Sequence, residues 1–144
     1  MYHWTDGPWI YSRNLLLILD PHHSWSSETD KPGGPAWDVV ENQDSIEIQN
    51  ALKTLEAFNI ECGPEYNGTI IRIPLRTEEQ SSTSKIANKA ITTEMMREAL
   101  ADFDKEVRDG ALLFLKHVRT VTIRVDGTTL SKTQILENNT QHTR

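Results

Sequence analysis

Trp9-Ile10-Tyr11-Ser12-Arg13-Asn14-Leu15-Leu16-Leu17-Ile18-Leu19-Asp20-Pro21 is the stretch on which the fold turns. Ser12-Arg13-Asn14 carries turn chemistry between an aromatic run and an aliphatic one, so 9–11 and 15–19 are predicted to be short strands joined by a tight turn. Five aliphatics without polar alternation predict that the second strand is covered on both faces. Asp20-Pro21 closes it, because proline has no N–H for a ladder and restricts the residue before it.

Outward from that hairpin, residues 21–37 are rich in Ser, Gly and Pro and read as a loop of roughly seventeen residues, a length that usually marks function or mobility. Ile48, Leu52, Leu55 and Phe58 recur at helical spacing, which predicts an amphipathic helix within 44–58. Gly63-Pro64 and Asn67-Gly68 are turn signals ahead of a strand over 69–76. Ile71, Ile73 and Leu75 share one face of that strand, and Pro74 puts it at a sheet edge or near its end. Residues 77–90 read as polar linker with a helix start near Ile86, and the clearest helix begins near Thr92 or Thr93. Met96, Leu100, Phe103, Val107, Ala111 and Phe114 form its stripe, and it is predicted to reach about Lys116. Val121, Ile123 and Val125 alternate with polar residues, and Asp126-Gly127 turns the backbone into a strand near 128–130.

The whole is 144 residues, 37% hydrophobic and 25% charged, the profile of one soluble domain without room for two cores. A formal charge of −6 argues against nucleic acid or an anionic membrane as partner. The single cysteine, Cys62, excludes an internal disulfide and fits a reducing compartment. The longest aliphatic run is far short of the ~20 residues that cross a bilayer. Met1-Tyr2-His3-Trp4-Thr5-Asp6 has no signal-peptide character, so the expected location is intracellular and cytoplasmic. Asn67-Gly68-Thr69 and Asn138-Asn139-Thr140 are then chance sequons.

Familiar catalytic strings are absent: no GxxxxGK[ST], no GxGxxG opening a helix, no HExxH, no GxSxG. His22, His23 and Cys62 have no metal-ligand spacing. Glu78-Glu79 and the group Asp102, Asp104, Glu106 and Asp109 read as solvated carboxylates of a linker and a helix face. Asp20, at a strand end beside a long loop, is better placed for function, although Asp-Pro is also ordinary strand-ending chemistry. Asn67-Gly68-Thr69 is locally explained as a turn opening a strand. The four tryptophans, Trp4, Trp9, Trp25 and Trp37, read as one layer of a core, with an exposed docking surface as the alternative.

Four strings occur in order: Tyr2-His3-Trp4-Thr5-Asp6-Gly7-Pro8, Leu15-Leu16-Leu17-Ile18-Leu19-Asp20-Pro21-His22, Gly68-Thr69-Ile70-Ile71-Arg72-Ile73-Pro74-Leu75-Arg76 and Ala111-Leu112-Leu113-Phe114-Leu115-Lys116-His117-Val118. Together they resemble the sacsin and No-Vein (Nov) family of Bergerat-fold GHKL ATPases, the class of the ninety-kilodalton heat-shock chaperones. The resemblance implies an α+β fold, a two-layer mixed sheet packed against helices. It implies a partial Bergerat domain over 1–130, and the polar residues of 131–144 read as a frayed tail. The helix from Thr92 would pack on a sheet built from the strands near 9, 15, 69 and 120. ATP and Mg are the cofactors of the intact family domain, Thr69 is the adenine-contacting residue, and Gly68 permits close approach.

The resemblance places Tyr2 in the last turn of a helix next to the phosphate lid. The Gly-rich lid segment, the metal-binding Asn, the general-base acid and the DxGxG aspartate have no counterparts among these residues. Phosphoryl transfer depends on such positioning groups. The expectation is therefore a truncated ATP-binding domain that holds no cofactor tightly and has no independent ATPase activity. The tryptophans would sit where the lid and helices are missing. The alternative is a protein-interaction module using the Trp-rich region, with chaperone partners, protein clients or self-association through uncovered apolar surface.

Overall fold

The structure, a computed structural model, describes residues 3–22, 34–56, 60 and 63–136. The protein divides into two compact units, residues 1–92 and 93–144, where the length alone predicted a single core.

In the first unit the opening hairpin forms as expected, with β1 at Trp9–Arg13 and β2 at Leu15–Ile18. Arg13 takes a positive φ of 54° to make the reversal that leaves Asn14 between the strands. Trp9 pairs with Ile18 and Tyr11 with Leu16. β3 (Ala36–Asp38) joins the outer side of β2, and β4 (Tyr66–Arg72) joins β1, giving the order β3-β2-β1-β4. Every pairing is antiparallel. β4 is an edge strand, as Pro74 predicts, but it spans Tyr66–Arg72 rather than 69–76: Asn67-Gly68, read as a turn ahead of the strand, lie inside it at a break in the register, and it ends two residues before Pro74.

Strand alternation sends Trp9, Tyr11, Leu16 and Ile18 to one face, where α1 (Ile46–Glu56) covers them with Ile48, Ala51 and Leu55. Trp37, Leu52, Tyr66 and Ile70 pack around that core, and the Tyr11 and Tyr66 rings stack 5.9 Å apart. Burying each such side chain contributes about 1.5–3 kcal/mol. Phe58, the last residue of the predicted helical stripe, lies outside the described residues.

The opposite face corrects one expectation. Leu15 is 49% exposed and Leu17 only half-buried, so β2 is covered on one side, because α1 packs on a single face. Ile71, on the same open face, is 51% exposed. Two of the tryptophans expected near missing cover are instead packed under α1. Trp9 and Trp37 belong to the α1 side, Trp4 is 37% exposed, and Trp25 lies outside the described residues.

Beyond Arg76, the linker predicted over 77–90 contains α2 (Glu78–Thr83) instead of a helix starting near Ile86. A capping box starts it: the Thr77 hydroxyl accepts from the Gln80 N–H at 3.2 Å and the Gln80 carboxamide accepts from the Thr77 N–H at 2.9 Å.

The second unit holds α3 (Thr93–Arg108), a 3₁₀ turn (Ala111–Phe114) and the antiparallel pair β5 (Thr120–Val125) and β6 (Thr128–Gln134). α3 stops eight residues short of Lys116, because Gly110 adopts φ 112° and breaks the helical ladder. Of the predicted stripe, Val107 is buried, while Phe103 is 47% and Phe114 89% exposed. Asp126 and Gly127 both take positive φ, the hairpin turn their sequence predicts. α3 packs on this hairpin, and β5 pairs with β6 in a sheet of its own rather than joining the strands near 9, 15 and 69. β6 carries regular structure to Gln134, into the segment predicted as tail. The overall class is α+β, as expected.

Candidate functional site

β4 runs out at Arg72, and the extended Ile73-Pro74-Leu75 leads to Arg76, whose side chain is completely buried. Nε and Nη2 both approach Asp6 Oδ1, at 2.7 and 2.6 Å, while Nη1 donates to the His3 carbonyl at 3.1 Å and the Lys89 carbonyl at 3.2 Å. The backbone does the same work. Arg76 N–H donates to Trp4 O, and Arg76 O accepts from Ile91 N–H, each at 2.9 Å. One arginine thereby ties together the N-terminal segment, the end of β4 and residues 89–91. The five-donor fork of a guanidinium allows this, and a lysine could not match it.

On the other side of Asp6, His22 Nε2 stands 3.4 Å from Oδ2, a close approach without hydrogen-bond geometry. Burial on its own raises the pKa of Asp6. The hydrogen bonds from Arg76 and Ser84 and the charges of Arg76 and His22 outweigh it, and the carboxyl is held below its ordinary value of 3.8.

A cleft of about 330 Å³ opens beside this network, with Asp6, Trp9, Asp20, His22, Arg72 and Gln80 on its walls. Asp20, the carboxylate favoured from sequence, is 3% exposed there. The Arg72 guanidinium lies 4.5 Å from the centre of the Trp9 ring, and its burial lowers its pKa from the usual arginine range. Asp6, His22 and Arg76 were not predicted as a group. Their only signal was that each falls inside one of the quoted strings. Periodicity could not find them, since Asp6 and Arg76 are 70 residues apart.

Thr69 and Gly68 lie elsewhere. Thr69 pairs with Ser12 across β1 and β4, on the face opposite α1, and both it and Gly68 are exposed. Ser12 Oγ donates to Gly68 O at 2.8 Å and sits 3.0 Å from Thr69 Oγ1. Since the Ser12 proton is used on the carbonyl, Thr69 donates to Ser12, and both acceptor lone pairs of its exposed hydroxyl stay free of protein partners among the described residues. Gly68 is needed for space: a Cβ there would come within 2.9 Å of the Tyr66 ring. The structure does not bring Thr69 and the Asp6 cleft together. His23 and Cys62, weighed as metal ligands, lie outside the described residues. Among the described residues no three His, Cys, Asp or Glu side chains converge as a metal site. No helix among them is long and apolar enough to cross a membrane.

A family model described as "Sacsin domain" matches residues 1–138. The chain belongs to the sacsin-domain family. It is also 30% identical, over 140 residues, to the human (Homo sapiens) protein named Sacsin, an alignment that takes in 89% of this sequence. The same alignment takes in 3% of Sacsin, so these residues match a small part of that relative. The three strings that reach the first unit, with Asp6, Asp20, His22, Arg72 and Arg76, are the part of this sacsin-type sequence that builds the buried network and its cleft.

Proposed function

We propose that these residues form one wall of a chaperone-type, GHKL-class ATP-binding domain, and that they do not hydrolyse ATP by themselves. The observation that supports this reading is the exposed Thr69 hydroxyl on the open sheet face, hydrogen-bonded to Ser12 and left with its acceptor lone pairs free. An acceptor in that position suits the exocyclic amino group of adenine. Gly68, without a side chain, lets the ring approach β4. The flanking apolar residues on that face, Leu15 and Ile71, are half exposed and suit burial under further structure.

The cofactors fit unequally. The adenine side has Thr69 and Gly68, whereas magnesium would need oxygen ligands that the described residues do not gather. No catalytic step through the metal is assigned to this protein. Its own residues hold the strand edge in register and offer the acceptor, and the Asp6–Arg76 tie fixes the end of β4 behind them.

Isothermal titration of the protein with Mg-ATP is expected to show no binding in the micromolar range. Micromolar affinity would overturn the claim that the phosphate and metal side is lacking. Adenosine at millimolar concentration is expected to shift the amide resonances of Ser12, Thr69 and Ile71, and Thr69→Val is expected to abolish those shifts. Shifts confined to other residues would remove Thr69 from the reading.

A further inference from the structure

We propose that Asn67-Gly68 is a self-modification site, at which the Asn67 carboxamide cyclises onto the Gly68 backbone nitrogen and opens to aspartate and isoaspartate. Of the asparagines in the sequence, only Asn67 is followed by glycine. The register places it where the ladder slips. Thr69 pairs with Ser12 and Tyr66 with Arg13, so Asn67 and Gly68 occupy a bulge with no residues directly opposite them in the register. Both are exposed, and β4 is an edge strand.

The asparagines differ in how they are held. Asn14 donates its amide to Asp38 Oδ2 at 2.5 Å, and Asn42 donates to the Asp38 carbonyl at 2.7 Å. Asn50 has its backbone fixed inside α1. The Asn67 carboxamide has no hydrogen-bond partner among the described residues. Ring closure requires the next backbone nitrogen to reach Cγ, and glycine is the residue that least obstructs that approach.

The chemistry balances with water as the sole co-reactant. The Gly68 N–H gives its proton to solvent base and the nitrogen attacks Asn67 Cγ. The new C–N bond closes a five-membered imide, and the original bond from Cγ to the carboxamide nitrogen breaks as ammonia leaves. Water then opens either carbonyl, giving a carboxylate on a normal or a methylene-lengthened backbone. Nothing is oxidised or reduced. The lengthened product displaces Gly68 O and Thr69 Oγ1 from Ser12 and adds a negative charge beside them. Nucleotide binding plays no part in any of these steps.

The test is incubation of the folded protein in mildly alkaline ¹⁸O-water, followed by peptide mapping that separates aspartate from isoaspartate. Labelled Asp and isoAsp at position 67 are expected well before any change at Asn14, Asn42, Asn50 or Asn88. Gly68→Ala is expected to slow the change. Asn67→Gln, which closes only to a six-membered ring, is expected to stay intact over the same period. Survival of Asn67 in the folded protein while it reacts in a urea-unfolded control would overturn the proposal, as would another asparagine reacting first.

Discussion

Replacing Arg76 by methionine tests whether the Asp6 network holds the first unit together. Methionine can follow the arginine stem but supplies no donor. The substitution leaves the Asp6 carboxylate, 15% exposed, without its guanidinium partner and removes a donor from the His3 and Lys89 carbonyls. Breaking a buried ion pair from one side costs about 3–5 kcal/mol. A carbonyl left without a partner adds about 1–3 kcal/mol unless water replaces the donor. Taking about 4 kcal/mol and a urea dependence of about 2 kcal/mol per molar, the unfolding midpoint is expected to fall by about 2 M. Urea titration followed by tryptophan fluorescence reads this, since Trp9 is in the core of that unit. Arg76→Lys keeps the charge but not the fork, and its midpoint is expected between the two. In the cycle with Asp6→Asn, the double variant is expected to lose about 0.5–3 kcal/mol less than the sum of the single losses. A midpoint shift below about 0.5 M for Arg76→Met, or strict additivity in the cycle, would refute the reasoning.

The acid limb, a glycine and the two sheet faces give further expected outcomes. The Asp6 carboxyl is held below 3.8 in the folded protein, so its stabilising contribution is full above that pH and disappears as pH falls through the folded value. The stability gap between the native protein and Asp6→Asn, measured by urea titration, is expected to shrink steadily from about pH 5 toward pH 2. Gly34 has φ 100°, and an added Cβ would stand 2.1 Å from the Ile18 carbonyl oxygen. Gly34→Ala is therefore expected to cost at least about 1–3 kcal/mol in the same titration. Leu16→Ala, which empties a fully buried position, is expected to cost about 2–5 kcal/mol. Leu15→Thr, on the open face, is expected to cost under about 1 kcal/mol and to reduce binding of a hydrophobic dye.

Local chemistry was readable in the sequence wherever one segment decides its own structure. Ser12-Arg13-Asn14 announced the first hairpin, Asp126-Gly127 the last, and Pro74 the end of β4. The apolar spacing of Ile48 and Leu55 marked α1 correctly, because helical period and burial coincide there. Where two local rules compete, the reading failed. The stripe through Phe103 and Phe114 suggested one long helix, but Gly110 interrupts it, and a left-handed glycine outweighs apolar periodicity. The Thr77–Gln80 capping box lies in a stretch whose polarity alone reads as linker, although Thr and Gln stand at the spacing that starts a helix. Aliphatic run length at 15–19 predicted two covered faces, yet a run cannot say how many layers its neighbours supply. The Asp6–Arg76–His22 network is a long-range ion cluster, and no pattern within a segment encodes which distant carboxylate a buried arginine will meet.

The span of the Arg76 ties also sets an order of events in synthesis. Asp6 leaves the ribosome 70 residues ahead of its partner, a wait of roughly 4–14 s at ordinary elongation rates. The Lys89 carbonyl and the Ile91 amide follow Arg76 by 13 and 15 residues. Through that interval the aromatic N-terminal segment has its hairpin but not its anchor. The anchor is therefore complete only once residue 91 emerges, and synonymous changes that slow translation between 76 and 91 would lengthen that interval without altering a single side chain.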